Sequence, residues 1–166
     1  MVTESGQAAV QERGPPAQWL FHTVINPLVT LLLRSPLHGV VSDSLMLITF
    51  TGRKSGREYT TPVGYHEFND GLIVFTHSGW WRNLRGGTEV TLRLKGDRLV
   101  AHASPIEDPE TVAEYILAFI DANGLDAARR IGLEFTDEDP PSKQQLTEGI
   151  DKTVVIELTL EAQIDG

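Results

Sequence analysis

The hydrophobic pattern divides the chain into short segments that predict helices and strands. Large apolar residues recur at helical spacing from Ala17 to a stop at Pro36, and a second short helix is expected to extend through Val41. The continuous apolar run at 45–48 is typical of a buried strand. Five further strands are predicted at 59–68, 72–76, 88–94, 99–104 and 154–158, with helices at 77–87, 108–124 and 125–131.

The links between these strands are short, which favours antiparallel neighbours. Strong turn signals stand at 69–71 and 95–97, whereas a parallel crossover needs roughly a dozen residues or more. The pattern therefore predicts an α+β fold, built as a small antiparallel six-stranded barrel with flanking helices. Residues 1–16 are polar and predict a mobile N-terminal tail, and residues 17–166 are expected to form a single domain.

Charge is distributed unevenly over the 166 residues. The formal net charge is −9, yet residues 49–98 hold eight of the 14 Lys and Arg and only five of the 23 Asp and Glu. One basic region in an acidic chain disfavours nucleic-acid binding and favours a local site for a small polyanion. The lack of cysteine and of a secretory signal predicts a cytoplasmic protein, and the apolar segment 17–41 also allows a peripheral membrane contact.

The loop between the first two predicted strands carries many hydrogen-bond donors. It places Arg53, Lys54 and Arg57 between and beside two glycines, together with several hydroxyl groups. Glycines let a backbone approach a ligand closely, and cationic side chains donate to anionic oxygens. Residues 49–57 are therefore predicted to form an anion-binding loop.

A second cluster of ligand-binding groups lies in the short helix predicted at 77–87. Ser78 is expected near its N-cap, and two tryptophans, an amide and two cations follow: Trp80, Trp81, Arg82, Asn83 and Arg85. Together with the basic loop, these groups favour a wall for a planar, charged ligand. The alternative interpretation is that the tryptophans only plug the barrel.

Other common sites are not indicated. The five histidines show no metal-ligand spacing, so no metal site is expected. The chain has no dinucleotide-binding fingerprint, no P-loop and no His-Glu-x-x-His motif.

Three linked motifs carry a resemblance to a known family. Residues 47–57, 59–65 and 81–85, with Val90, resemble the deazaflavin-dependent nitroreductases, and the likeness covers roughly residues 20–105. The resemblance implies a split β-barrel that binds coenzyme F420. It also implies that the reduced coenzyme passes a hydride to a small quinone-like, nitro or activated-alkene acceptor.

The same resemblance implies roles for individual residues. Arg53, Lys54, Ser55 and Arg57 would hold the phosphate and polyglutamate tail of F420. Further residues would lie along the coenzyme (Thr60, Thr61, Pro62, Val63 and Tyr65) or near its ring (His77, Ser78, Trp81, Arg82, Asn83 and Leu84). His77, Ser78 and Tyr65 are the candidate proton donors.

Two other functions stay open at this stage. The first keeps the fold and replaces F420 with FMN, whose single phosphate suits the same loop. The second is a non-catalytic carrier of F420 or another polyanion, which fits the lack of tyrosine between Phe135 and Gly166, where the best-known members have pocket tyrosines. A homodimer is likewise an open alternative.

Overall fold

The computed structural model describes residues 10–12, 45–135 and 139–163. The predicted helices before Val41, and with them the membrane contact through 17–41, lie outside these residues. The described residues fall into two compact units. A sheet unit comprises 45–74, 79–105 and 156–163, and a helical unit comprises 10–12, Phe75–Ser78, 106–135 and 139–155. The single domain over 17–166 and the mobile tail over 1–16 stay predictions.

The described elements follow the predicted order of strands and helices with a few additions. They are β1 (Val10–Glu12), β2 (Leu45–Thr51), β3 (Glu58–Gly64), β4 (His66–Phe68), β5 (Gly71–Thr76), the 3₁₀ helix η1 (Gly79–Leu84), β6 (Thr88–Leu94), β7 (Asp97–Ile106), α1 (Pro109–Asn123), the 3₁₀ helix η2 (Leu125–Ile131), β8 (Leu133–Phe135), α2 (Lys143–Gly149) and β9 (Val154–Gln163).

The main sheet has seven strands in the order β3-β2-β6-β7-β9-β5-β4. The pairs β2–β3, β2–β6, β4–β5 and β6–β7 are antiparallel, as their short links predict. The α+β split-barrel class is therefore confirmed, with seven strands in place of the predicted six.

The extra strand arises because the segment predicted as one strand at 59–68 is two. It breaks at Tyr65, so that β3 and β4 lie at opposite ends of the strand order although one residue separates them. A link of one residue spans only a few ångströms, so the sheet curls until its two edge strands meet there. Pro62 fits this arrangement because an edge strand tolerates the missing N–H of proline.

Strand β2 is buried on both faces near its start, because Leu47, which points away from Met46 and Ile48, is also buried. Met46 and Ile48 are fully buried, and Phe50 continues the same face. The central residues of both hairpin turns have positive φ, which Asn69, Asp70 and Gly96 adopt readily and which Lys95 adopts as well. These turns set the register that positions the site described below.

The helical unit is built around α1, which buries one apolar face that includes Ile116 and Phe119. Phe119 packs edge-on against Phe75 with ring centroids 5.7 Å apart. Two features of this unit were not predicted from the sequence. One is the pairing of β1 with β8, and the other is the helix α2. In the described part of the chain no helix is both long and apolar enough to cross a membrane.

The N-cap of α1 makes its stability depend on pH. Asp108 accepts hydrogen bonds from the Thr111 hydroxyl at 2.7 Å and the Thr111 backbone N–H at 3.0 Å, and these lower the pKa of its carboxyl. A lowered pKa stabilises the fold above the ordinary Asp pKa, and this contribution is lost as the pH falls through the lowered value. We expect Asp108→Ala to reduce the Tm at pH 7 and less at pH 3, measured by circular dichroism.

The matched variant Asp108→Asn keeps a side-chain acceptor but cannot ionise. Its Tm difference from Asp108→Ala should change little between pH 3 and pH 7. A constant Tm gap between the wild type and Asp108→Ala over this range would contradict the assignment of the cap to the ionised carboxylate.

Candidate functional site

The basic loop between β2 and β3 is closed by its own backbone. The Gly52 N–H donates to the Arg57 carbonyl at 2.8 Å, and the Gly56 N–H donates to the Gly52 carbonyl at 2.9 Å. The side chains of Arg53, Lys54 and Arg57 are exposed. The loop therefore holds three cations on a fixed backbone at the end of a hairpin.

Tyr59 covers this loop from the start of β3. Its hydroxyl lies 3.0 Å from the Ser55 hydroxyl, and its ring lies so close to Gly52 that a Cβ there would be 2.6 Å from ring atom Cε2. Only glycine leaves room for this contact. The sequence thus uses Gly52 to bring a tyrosine ring against the backbone of the cationic loop.

Asn83 joins the loop to η1. The Arg53 N–H donates to Asn83 Oδ1 at 3.0 Å, while Asn83 Nδ2 donates to the Trp80 carbonyl at 2.8 Å. A third bond runs from Arg53 Nη1 to the Arg82 carbonyl at 3.2 Å. The two predicted ligand-binding segments are therefore connected by direct hydrogen bonds within the sheet unit.

Three aromatic rings form one wall beside the loop. Phe50 stacks on Tyr59 at 5.9 Å and on Trp80 at 5.3 Å between ring centroids, with interplanar angles of 26° and 24°. Tyr59 is exposed, at 46% of its surface, so part of the wall is open to a ligand. Stacked faces of this kind pack well against another planar system.

Loop, wall and η1 enclose a pocket of about 800 Å³. Its lining consists of Phe50, Gly52, Arg53, Lys54, Ser55, Tyr59, Thr60, Thr61, Trp80, Arg82, Asn83 and Arg85. Four of these described residues are cations and none is Asp or Glu. The pocket consequently combines positive charge, hydroxyl and amide donors, and an aromatic surface.

Seven of the residues predicted to hold a coenzyme meet in this pocket: Arg53, Lys54, Ser55, Thr60, Thr61, Arg82 and Asn83. Six others belong to the sheet unit but are outside the lining: Arg57, Pro62, Val63, Tyr65, Trp81 and Leu84. Among them Val63, Tyr65, Trp81 and Leu84 are buried in the protein core. Trp81 nevertheless supports the pocket, since the guanidinium carbons of Arg82 and Arg85 lie 5.2 and 4.9 Å from its ring centroid.

The two remaining predicted residues, His77 and Ser78, belong to the helical unit. His77 Nε2 lies 3.1 Å from the Ile131 carbonyl, and the Ser78 N–H donates to the Thr76 hydroxyl at 3.2 Å. A carbonyl only accepts, so Nε2 carries the proton of the neutral imidazole. His77 could then release a different proton only from Nδ1 of the imidazolium form.

Phe50 and Gly52 belong to the predicted anion-binding loop at 49–57, whereas the lining residue Tyr59 was not assigned to the site from the sequence. Phe50 and Tyr59 are directly opposite each other in the β2–β3 register. The short loop at 52–57 limits how β2 and β3 can pair. A register derived from its length would have placed Phe50 opposite Tyr59, beside the cations.

Comparison with known proteins gives one family match. A family model described as F420H(2)-dependent quinone reductase matches residues 34–123, more than half of the chain. No curated protein sequence matches it.

Among solved structures the chain is similar to an F420-H2 dependent reductase (FDR-A), at 21% identity over 69% of this chain and 93% of that chain, with a TM-score of 0.43. It is also similar to a pyridoxamine 5'-phosphate oxidase-related, FMN binding protein from Nostoc punctiforme, at 14% identity, 87% and 81% coverage and a TM-score of 0.47. An FAD and heme binding protein from Mycobacterium smegmatis is 16% identical over 71% of this chain and 61% of that chain, with a TM-score of 0.43. Likenesses this distant carry no information on activity.

Proposed function

Because the chain belongs to the F420H2-dependent quinone reductase family, we propose that it transfers a hydride from reduced F420 to a small quinone-like, nitro or activated-alkene acceptor. The observation that supports this most directly is the pocket, in which four cations stand beside a stacked aromatic wall. Such a pocket suits a ligand that is anionic at one end and planar at the other.

F420 fits this donor set. It carries a phosphodiester and several carboxylates, and Arg53, Lys54 and Ser55 would hold these groups through charge-assisted hydrogen bonds. Tyr59, Phe50 and Trp80 offer faces against which the planar deazaflavin would pack. A volume of about 800 Å³ lies within the range of cofactor pockets, roughly 300 to 1,000 Å³.

The bound coenzyme would supply the hydride, and one proton must accompany it to convert a quinone to a hydroquinone. The protein's part is then to orient the acceptor, exclude water and hold that proton. His77, Ser78 and Tyr65 stay the proposed donors from the sequence. Lys54 and Tyr59 join them because they line the pocket and carry acidic hydrogens.

The proposal is tested by binding and turnover with the purified protein. We expect oxidised F420 to bind in a fluorescence titration more tightly than FMN, since FMN has fewer anionic groups for the four cations. Reduced F420 should then be oxidised with menadione as acceptor. Tight FMN binding without F420 binding would contradict the choice of coenzyme, and F420 binding without oxidation would support a carrier instead.

The cytoplasmic location, the homodimer and the peripheral membrane contact are proposals from the sequence on which no described contact bears. A small-molecule acceptor agrees with the family. Its chemical class is part of the proposal, and the turnover assay with quinone, nitro and alkene acceptors distinguishes the three.

A further inference from the structure

A second concavity of about 270 Å³ lies in the sheet unit, and we name it the arginine cleft. It is lined by Leu47, Thr49, Glu58, Thr60, Thr91, Arg93 and Arg98. Thr49 faces the cleft whereas its neighbour Phe50 lines the aromatic pocket, because successive residues of a strand point to opposite faces. The cleft is therefore a different site from the pocket, although Thr60 on the edge strand borders both.

The strand register builds the cleft from two adjacent rows. In the first row, Thr49 is paired with Thr60 on one side and with Thr91 on the other. In the second row, Leu47 is paired with Arg93, which is paired in turn with Arg98. Leu47 is buried and forms the apolar floor of the cleft. The threonine hydroxyls and the two guanidinium groups line its sides.

The direct pairing of Arg93 with Arg98 is unfavourable by itself. Like charges directly opposite each other on neighbouring strands destabilise a sheet. In the described part of the chain neither guanidinium has a hydrogen-bond or ion-pair partner. Two guanidinium groups placed side by side can instead share one anionic group, which each can contact through two N–H bonds.

The threonine row adds further donors. Thr49 Oγ1 and Thr60 Oγ1 are 2.8 Å apart, so one hydroxyl donates to the other and the second hydrogen remains for another acceptor. Thr91 contributes a third hydroxyl on the same face. Glu58 is the one acid among the described residues of the lining, and it reduces their summed charge to about one positive unit, which favours a single anionic group over a polyanion.

We propose that the arginine cleft binds one oxyanion, the carboxylate or phosphate group of a small ligand. Arg93 and Arg98 would hold its oxygens, and the threonine hydroxyls would fix its orientation. Among the described residues no cation lines both this site and the proposed coenzyme pocket, and Thr60 is the residue that they share.

The experiment is an NMR titration of the Arg93 and Arg98 Nε–H signals with inorganic phosphate and, separately, with glutarate. We expect both signals to shift with one dissociation constant. Arg98→Gln should weaken binding by about tenfold, because it removes one charge-assisted pair of hydrogen bonds. Glu58→Gln should strengthen binding, since it removes a negative charge from the wall.

Lys95→Asn is the matched control. It removes one cation from the same hairpin, outside the cleft lining, and asparagine accepts the positive φ of 50° at this position. It should change the affinity by less than about twofold at 150 mM salt, where exposed charges are largely screened. Equal losses of phosphate affinity in Lys95→Asn and Arg98→Gln would overturn the proposal. So would the absence of any shift of the two signals at a concentration of about 50 mM of either probe, which would saturate even a weak site.

A third titration, with F420, distinguishes whether the anionic group belongs to the coenzyme or to a separate ligand. If the cleft receives a carboxylate of the coenzyme tail, Arg98→Gln will weaken both phosphate binding and F420 binding. If it receives a separate ligand, F420 affinity will be the same in Arg98→Gln and the wild type while the phosphate affinity differs. Failure of F420 to bind at all would count against the proposed function and leave the phosphate result intact.

Discussion

Replacing Arg53 and Lys54 together with alanine is expected to weaken F420 binding by on the order of a hundredfold or more. Each side chain can make charge-assisted hydrogen bonds to anionic oxygens worth about 1.5 to 3 kcal/mol. The Tm should change by about 2 °C or less, because both side chains are exposed, alanine keeps the backbone bonds that hold the loop, and only the exposed bond from Arg53 Nη1 to the Arg82 carbonyl is lost. Fluorescence titration and thermal denaturation measure the two effects.

The control is the double variant Lys95→Asn, Arg129→Ala, which removes the same amount of charge outside the pocket lining. We expect it to retain F420 affinity within about threefold at 150 mM salt. A similar loss in both double variants would mean that the overall charge of the protein, and not the loop, attracts the coenzyme. A large fall in Tm with unchanged affinity would make the loop cations structural.

Gly132→Ala is expected to destabilise the helical unit by about 3 to 5 kcal/mol. Gly132 ends η2 with φ of +80°, in the left-handed region that costs an L-residue about 1 to 2 kcal/mol. A Cβ here would also lie 2.6 Å from His77 Nε2, so the ring must move and lose its bond to the Ile131 carbonyl. Urea denaturation at pH 7 gives the free energy of unfolding.

Two further variants separate the backbone cost from the clash. Gly56→Ala also has a positive φ, of +67°, but its Cβ would meet nothing within 4 Å, so it should cost only about 1 to 2 kcal/mol. In the double variant His77→Ala, Gly132→Ala the clash is absent, and we expect less destabilisation than the sum of the single changes. Additive costs would show that the contact with His77 is not what makes Gly132 necessary.

The sequence was informative where the cause of a structure is local. The hairpins at 69–70 and 95–96 follow from Asn69, Asp70 and Gly96, which accept positive φ, and both were predicted at the right place. The helix α2 also had a local signal, a capping box of Ser142 and Gln145, that the predicted pattern did not include. The break at Tyr65 had no such signal, since it depends on which neighbours β3 and β4 find in the sheet.

The same distinction holds for the candidate site. The cations of the loop were predicted because three of them lie within five consecutive residues. Trp80 was predicted to form part of a wall for a planar ligand. Its stacking on Phe50, and that of Phe50 on Tyr59, was not predicted, because these rings meet only through strand pairing and the turn of η1. The short strands β1 and β8 pair across more than 120 positions of sequence, and no pattern in three residues specifies such a partner.

The one-residue link at Tyr65 has a consequence for the order in which the sheet assembles. The hairpins β2–β3 and β4–β5 are contiguous in sequence, so both form from local contacts with little loss of loop-closure entropy. Once both exist, the link holds the two ends of the future sheet together before its middle is complete. Strand β9, which lies between β7 and β5 and comes last in the chain, is then the strand that closes the structure. We therefore expect the late, slow part of folding to be the insertion of β9, which joins residues far apart in sequence.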